Sequence, residues 1–152
     1  MKLTNGASRG TASLDLFLVE DSLDDITLVK RLLKDVTSAF YHITINMAFC
    51  HTIKEAEFVL QSNGYNLILL DLSLPDSIEL SGLKALVEKL PHIPIVIYSG
   101  NYNPEIAEQA IFLGAQDYIL KGTMTADELV RTLYHAKLRH QSVMKLRTLI
   151  EA

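Results

Sequence analysis

The sequence predicts a doubly wound α/β fold of the flavodoxin type, with a five-stranded parallel sheet and five helices in three α/β/α layers. Short apolar runs of strand length alternate along the 152 residues with segments whose apolar residues recur at helical spacing. The run Leu67–Leu70 contains no polar residue, which is typical of a strand buried on both faces of a parallel sheet. Apolar patterning alone does not separate the two common strand orders. A short chain with five strands, and without G-x-G-x-x-G after the first, favours the order 2-1-3-4-5.

The first two strand–helix units follow from apolar spacing and from helix-capping residues. The run 14–19 predicts the first strand, and apolar residues within 26–36 recur at helical spacing after it. The β-rich run 41–49 predicts the second strand. Thr52 is a candidate N-cap for the next helix, which we expect to end at Asn63-Gly64.

The later units repeat this pattern, and their helix ends carry clear signals. The other strands are predicted over residues 65–70, 94–98 and 117–120, with a helix over 83–90 after the third strand. Asn103 followed by Pro104 predicts the start of the fourth helix, and Gly114 predicts its end. Thr125 and Glu128 match a capping box for the last helix, which we expect to continue nearly to residue 152.

Composition excludes several classes of protein. With 14 basic and 18 acidic residues the net charge is −4, which argues against direct nucleic-acid binding. The longest apolar runs are of strand length, so we expect no membrane insertion. Residues 1–13 lack the apolar core of a signal peptide and are predicted to form a flexible tail. Cys50 is the only cysteine, which suits a reducing compartment and a cytoplasmic location.

Polar side chains follow four of the five predicted strands. Glu20 and Asp21 follow the first strand, Asp71 the third, Ser99 the fourth and Lys121 the fifth. Because ligands of such sheets bind outside the carboxyl ends of the strands, we expect these five side chains at one edge. In the order 2-1-3-4-5 the first and third strands are neighbours, so the three carboxylates converge.

This set of side chains suits phosphoryl transfer. Three carboxylates in one cleft repel each other and need a cation, and their hard oxygen atoms suit Mg²⁺. A lysine and a hydroxyl beside them suit a phosphoryl group, whose charge the metal and Lys121 would neutralise. A carboxylate can itself act as the nucleophile and form an aspartyl phosphate.

Four stretches, in order and at the spacing of the strand–helix units, resemble the receiver domain of two-component response regulators. They are FLVEDSLDD, LILLDLSLPD, IVIYSGN and GAQDYILKG. The resemblance covers residues 14 to about 140. It implies a receiver domain over 14–140 and a C-terminal helical extension over 141–152.

The resemblance also implies a role for each site residue. Asp71 corresponds to the phosphoacceptor, and Glu20 and Asp21 to the acidic pair that holds Mg²⁺ with Asp71. The backbone carbonyl of Ser73 would complete the protein ligands of the metal.

Three further residues correspond to those that respond to phosphorylation. Ser99 matches the switch hydroxyl that bonds the phosphoryl group, and Lys121 the lysine that forms a salt bridge with it. Tyr118 matches the switch aromatic that swings inward as Ser99 moves. We interpret Asp24 and Asp25 only as acids favoured in the first turn of a helix.

The implied function is signalling and not catalysis on other molecules. Asp71 would take a phosphoryl group from a histidine kinase or a histidine phosphotransfer protein, and the domain would catalyse only its own phosphorylation and dephosphorylation. Output would pass to a downstream protein or domain by protein contact. A thin apolar stripe on the last helix (Ala136, Val143, Leu146 and Ile150) is compatible with a homodimer or with the start of a linker.

Two departures from the family pattern keep a second hypothesis open. Gly122 replaces the proline usual after the lysine, so the geometry of that loop is open. Seven positions instead of four separate Pro75 from Gly82, so this loop is about three residues longer, with 78–80 as the insert. These departures motivate a receiver-like interaction module that works without phosphorylation. A small-molecule aspartyl-phosphate hydrolase ranks third, because Ser73 breaks the D-x-D motif.

Overall fold

The computed structural model describes residues 2–4, 12–36, 42–62 and 64–151. The strands in these residues are β1 (Lys2–Thr4), β2 (Ser13–Val19), β3 (Thr44–Cys50), β4 (Leu67–Leu70), β5 (Ile95–Ser99) and β6 (Asp117–Leu120). The helices are α1 (Leu23–Lys34), α2 (Ile53–Leu60), α3 (Ser81–Lys89), α4 (Pro104–Leu113) and α5 (Ala126–Glu151). The predicted strand start at Tyr41 and helix end at Asn63 lie outside the described residues.

The strands form one sheet in the order β1-β3-β2-β4-β5-β6. Strands β2 to β6 are all parallel, so the predicted order 2-1-3-4-5 of the parallel strands is confirmed. Val19 at the end of β2 pairs with Leu70 at the end of β4, and the backbone N–H of Asp71 donates to the carbonyl of Val19 at 3.0 Å. The register therefore brings Glu20 and Asp71, one residue beyond these pairs, to the same edge of the sheet.

The structure differs from the predicted tail over residues 1–13 at two places. Lys2–Thr4 form β1, which pairs antiparallel with β3, and Ser13 is the first residue of β2. A strand of three residues is too short to show an alternating pattern, and its partner residues are 40 to 44 positions away along the chain. Nothing in the local sequence could therefore have indicated it.

Both faces of the parallel sheet are buried, which explains the continuous apolar runs. Along β2, Leu16 and Leu18 belong to the core beneath α1 and α5. The intervening Phe17 and Val19 belong to the core beneath α2, α3 and α4. The helices thus lie in two layers on either side of the sheet, as predicted.

The predicted helix caps are present and fix where the loops leave the sheet. Thr52 accepts a hydrogen bond from the backbone N–H of Glu55, and Asn103 accepts two from the first turn of α4. Gly114 ends α4 with a φ of +119°, in the left-handed region that favours glycine. Thr125 accepts from the backbone N–H of Glu128 at 3.2 Å, which is one half of the predicted capping box.

Helix α5 is continuous across the predicted boundary between residues 140 and 141. Burial ends at this boundary: His140 is buried against the carbonyl of Pro91, whereas the later apolar residues Val143, Leu146 and Ile150 are exposed. None of the described helices combines the length and the hydropathy that crossing a membrane requires.

Candidate phosphorylation site

Asp71 lies at the carboxyl end of β4 and is only 4% exposed. Glu20 and Asp21 follow β2, the neighbouring strand, and carboxylate oxygen atoms of all three residues lie within 4.8 Å of one another. Glu20 is buried and Asp21 is exposed, so the cluster opens to solvent on one side. The structure brings together the three carboxylates that the sequence placed at this edge.

The acidity of Glu20 is strongly changed by its surroundings. Burial, together with the neighbouring Asp71, raises the pKa of Glu20 from 4.5 to about 8. Its carboxylate accepts hydrogen bonds from the backbone N–H of Asp21 at 3.1 Å and from the ammonium of Lys121 at 2.5 Å. Without a cation, the cluster therefore tends to hold a proton.

Lys121 supplies the positive charge of the site. Its Nζ contacts Oε1 of Glu20 at 2.5 Å, Oδ2 of Asp25 at 2.8 Å and Oδ1 of Asp71 at 3.4 Å. Burial alone would lower the pKa of Lys121, but the hydrogen bonds to Asp25 and Glu20 and the charge of Asp71 raise it above its usual value. Lys121 is therefore charged at neutral pH and lies beside the candidate phosphoacceptor.

Asp25 is a site residue that the sequence prediction missed, because a first-turn acid has a sufficient local explanation in the helix dipole. Its contact with Lys121 crosses from α1 to the end of β6, and the hydrogen bond from Lys121 lowers the pKa of Asp25. No local signal separates it from Asp24, because its role depends on a lysine 96 positions away along the chain. Asp24 is exposed and keeps its interpretation as a first-turn acid.

The donor set fits a hard divalent cation. Three carboxylates within 4.8 Å offer oxygen ligands, and Mg²⁺ takes one or two carboxylates together with water and phosphate oxygens. A divalent ion would offset the burial and the charge of Asp71, which together raise the pKa of Glu20. Ser73 lies exposed in the loop after Asp71, and its carbonyl as a metal ligand stays a prediction.

Ser99 and Tyr118 are joined through one residue that the sequence prediction did not single out. The buried Oγ of Ser99 accepts a hydrogen bond from the backbone N–H of Asn101 at 3.2 Å. The hydroxyl of Tyr118 donates to the carbonyl of the same Asn101 at 2.7 Å, and its ring packs edge-on against Tyr102. The two predicted switch residues thus hold opposite sides of one loop.

The loop after Lys121 explains the glycine that replaces proline. Gly122 has a φ of +80°, whereas a proline ring fixes φ near −65°. A proline could not adopt this backbone, and glycine adopts it without strain. The departure changes the loop and still leaves Lys121 in contact with Glu20, Asp25 and Asp71.

The longer loop after Asp71 is tied down at both ends. The carboxylate of Asp76 accepts hydrogen bonds from the backbone N–H groups of Ile53 and Lys54, at the start of α2. Ser77 Oγ accepts from the backbone N–H of Gly82 at 3.0 Å. A Cβ at position 82 would lie 2.7 Å from the Ile53 side chain, which is a physical reason for glycine there.

Comparison with known proteins assigns a family to this arrangement. The sequence model of the response regulator receiver domain matches residues 16–134, a range that includes every predicted site residue. The swarming motility regulation protein RssB of Serratia marcescens is 33% identical over 108 residues, or 71% of this chain and 46% of that protein. The chain spans less than half of the length of the first curated relatives that it matches.

Solved structures agree with this assignment. NtrX from Brucella abortus, solved in complex with ADP, is 26% identical to this chain and matches its structure with a TM-score of 0.73. The match covers 91% of this chain and 30% of NtrX. The Mn²⁺-bound form of response regulator Rcp1 is 27% identical with a TM-score of 0.60, over 78% of this chain and 88% of that one.

Proposed function

Because the chain belongs to the response regulator receiver family, we propose that Asp71 is its phosphoacceptor and that a phosphohistidine is the donor. The observation that carries this proposal is the position of Asp71. It is buried at the edge of the sheet, 3.4 Å from the ammonium of Lys121 and clustered with Glu20 and Asp21. No other described carboxylate cluster of this kind surrounds a buried aspartate.

The transfer is a displacement at phosphorus. An oxygen of Asp71 attacks the phosphorus atom, the bond from phosphorus to the donor imidazole breaks, and the imidazole keeps the electron pair. Mg²⁺, held by Glu20, Asp21, Asp71 and the carbonyl of Ser73, would supply positive charge at the phosphoryl oxygens. Lys121 reaches Asp71 directly and stabilises the product phosphate by an ion pair.

Ser99 and Tyr118 convert phosphorylation into a change of surface. The hydroxyl of Ser99, which now accepts from Asn101, would turn to donate to a phosphoryl oxygen. The Asn101 loop would then shift, and Tyr118 would lose its hydrogen bond to that loop and move inward. Phosphorylation would in this way shift a pre-existing equilibrium between two surfaces.

Partners and location follow from the same proposal. The donor is a histidine kinase or a histidine phosphotransfer protein, and the output is a protein or domain bound by contact and not a nucleic acid. Ala136 of the predicted apolar stripe is buried in the core, and the exposed residues Val143, Leu146 and Ile150 of α5 offer a surface for a homodimer. The domain catalyses only its own phosphorylation and dephosphorylation. The lone buried thiol of Cys50 is consistent with the cytoplasm.

The phosphorylation-independent alternative has little support. The two departures that motivated it, Gly122 and the longer loop, leave Lys121 in contact with Asp71 and Glu20, and leave Asp21 clustered with these two acids. A hydrolase of small molecules has no supporting observation either.

Intact mass spectrometry tests the proposal. Incubation with phosphoramidate and Mg²⁺ should add one phosphoryl group to the wild-type protein and none to Asp71→Asn. Asp24→Asn, which removes an exposed acid of α1, is the matched control and should be labelled like the wild type. Labelling of Asp71→Asn at the wild-type rate would refute the assignment.

A further inference from the structure

We propose that Asp25, in the first turn of α1, competes with the phosphoryl group for the ammonium of Lys121 and so weakens the hold of the site on that group. The inference rests on the proposed phosphorylation of Asp71 and adds a residue that sets how far the phosphorylated state is populated. Asp25 acts through Lys121, so it is a positioning residue and not a catalytic one.

The ammonium of Lys121 lies nearer to Asp25 than to the candidate phosphoacceptor. Its Nζ is 2.8 Å from Oδ2 of Asp25 and 3.4 Å from Oδ1 of Asp71. The first distance is that of a charge-assisted hydrogen bond, whereas the second is too long for one. Asp25 and Glu20 therefore hold the lysine by hydrogen bonds, and Asp71 attracts it by charge alone.

A bound cation would release Lys121 from one of these two hydrogen-bonded acids and not from the other. Glu20 lies in the cluster with Asp21 and Asp71 that fits a divalent ion, whereas Asp25 is not one of the described residues that make up this cluster. A cation in the cluster would attract the carboxylate of Glu20 and repel the ammonium. Asp25 would then keep its full charge and its hold on Lys121.

The first turn of α1 keeps Asp25 in place and keeps it charged. Ser22 caps the helix by accepting a hydrogen bond from the backbone N–H of Asp25 at 3.3 Å. The helix dipole favours a negative charge in this turn, and the hydrogen bond from Lys121 lowers the pKa of Asp25. The carboxylate is thus ionised at neutral pH, and its contact with Lys121 pairs two full charges.

A phosphoryl group on Asp71 would draw Lys121 away from Asp25. It brings negative charge to the side of the ammonium that faces Asp71, where Lys121 would bond a phosphoryl oxygen. An ammonium that moves towards that oxygen lengthens its 2.8 Å contact with Asp25. The weakened ion pair subtracts from the stabilisation that Lys121 gives to the phosphoryl group.

The affinity for beryllofluoride, an anion that mimics the phosphoryl group on an aspartate, measures this competition at equilibrium. Fluorine NMR in the presence of Mg²⁺ follows the bound fraction. Asp25→Asn should bind beryllofluoride about fivefold more tightly than the wild type, which is the effect of one partly exposed ion pair. Asp25→Glu keeps the charge on the same turn and should return the affinity to about that of the wild type.

Two further variants separate this effect from general electrostatics. Asp24→Asn is the matched control, because Asp24 is an exposed acid in the same helical turn, and it should bind beryllofluoride like the wild type. Lys121→Met removes the ammonium. In that background Asp25→Asn should give no gain in affinity, because the two residues act through the same contact.

Equal affinities of Asp25→Asn and the wild type would overturn the inference. A weaker affinity of Asp25→Asn would also overturn it, because Asp25 would then hold Lys121 where the phosphoryl group needs it. A gain that persists in the Lys121→Met background would have the same consequence, since direct repulsion by Asp25 would then suffice. A wild type that binds no beryllofluoride and takes no phosphoryl group from phosphoramidate would refute the proposed function itself, and the inference with it.

Discussion

At the scale of single residues, the buried carboxyl group of Glu20 makes the stability of the fold depend on pH. Its pKa is raised from 4.5 to about 8 by burial and by Asp71, so the folded protein binds a proton that the unfolded chain releases. For a carboxyl group with a raised pKa, stability falls as pH rises from about 4.5 to about 8. Without a cation, the contribution of Glu20 to the stability of the fold is therefore lowest at the upper end of this pH range.

Glu20→Gln should therefore stabilise the fold in buffer without Mg²⁺. At pH 8 we expect the free energy of unfolding to rise by about 1–2 kcal/mol, because glutamine avoids the cost of ionising a buried carboxyl group and Lys121 keeps its contacts with Asp25 and Asp71. The gain should shrink towards pH 5, where Glu20 is protonated in the folded wild type. Denaturant unfolding at both pH values measures this, and a gain independent of pH would show that Glu20 does not titrate as described.

At the scale of elements, α5 extends beyond the core on which it packs. Beyond His140 the helix buries none of its side chains among the described residues. Removal of residues 141–152 should therefore change the thermal midpoint by no more than about 2 °C. The same truncation should abolish any self-association seen by light scattering. A much larger fall in the midpoint would mean that these residues belong to the folded domain.

The elements also show what the sequence could predict and what it could not. Caps such as Thr52 and Asn103 are local signals, so the starts of α2 and α4 were placed correctly, whereas α3 has no side-chain cap and begins at Ser81, two residues before the predicted start. The edge strand Lys2–Thr4 and the contact of Asp25 with Lys121 depend on residues distant along the chain. Asn101 was missed for the same reason, because its role arises only when β5 and β6 lie side by side. The candidate site was predictable because strand ends share one edge.

At the scale of the whole molecule, cation binding and folding are linked through the acidic cluster. A ligand that binds only the folded state stabilises it by mass action, by about 2.7 kcal/mol at 100 times its dissociation constant. Mg²⁺ at that concentration should raise the thermal midpoint by roughly 5–10 °C. Asp21→Asn should lose most of this rise.

The control for this prediction is NaCl at equal ionic strength, which screens charges without occupying the cluster. Differential scanning calorimetry measures both midpoints. A rise with Mg²⁺ no larger than that with NaCl would contradict a cation site at Glu20, Asp21 and Asp71.

The short strand β1 has a consequence for how molecules of this protein meet one another. Without it, β3 would present a free row of backbone donors and acceptors, which is a template for pairing between sheets. β1 covers Thr44–Asn46 and leaves the half of β3 nearer to His51 uncovered on that side by any described strand. Three residues thus protect the end of the sheet remote from Asp71 against pairing with another sheet, whereas the edge of β3 nearer to the candidate phosphorylation site is left uncovered by the described strands.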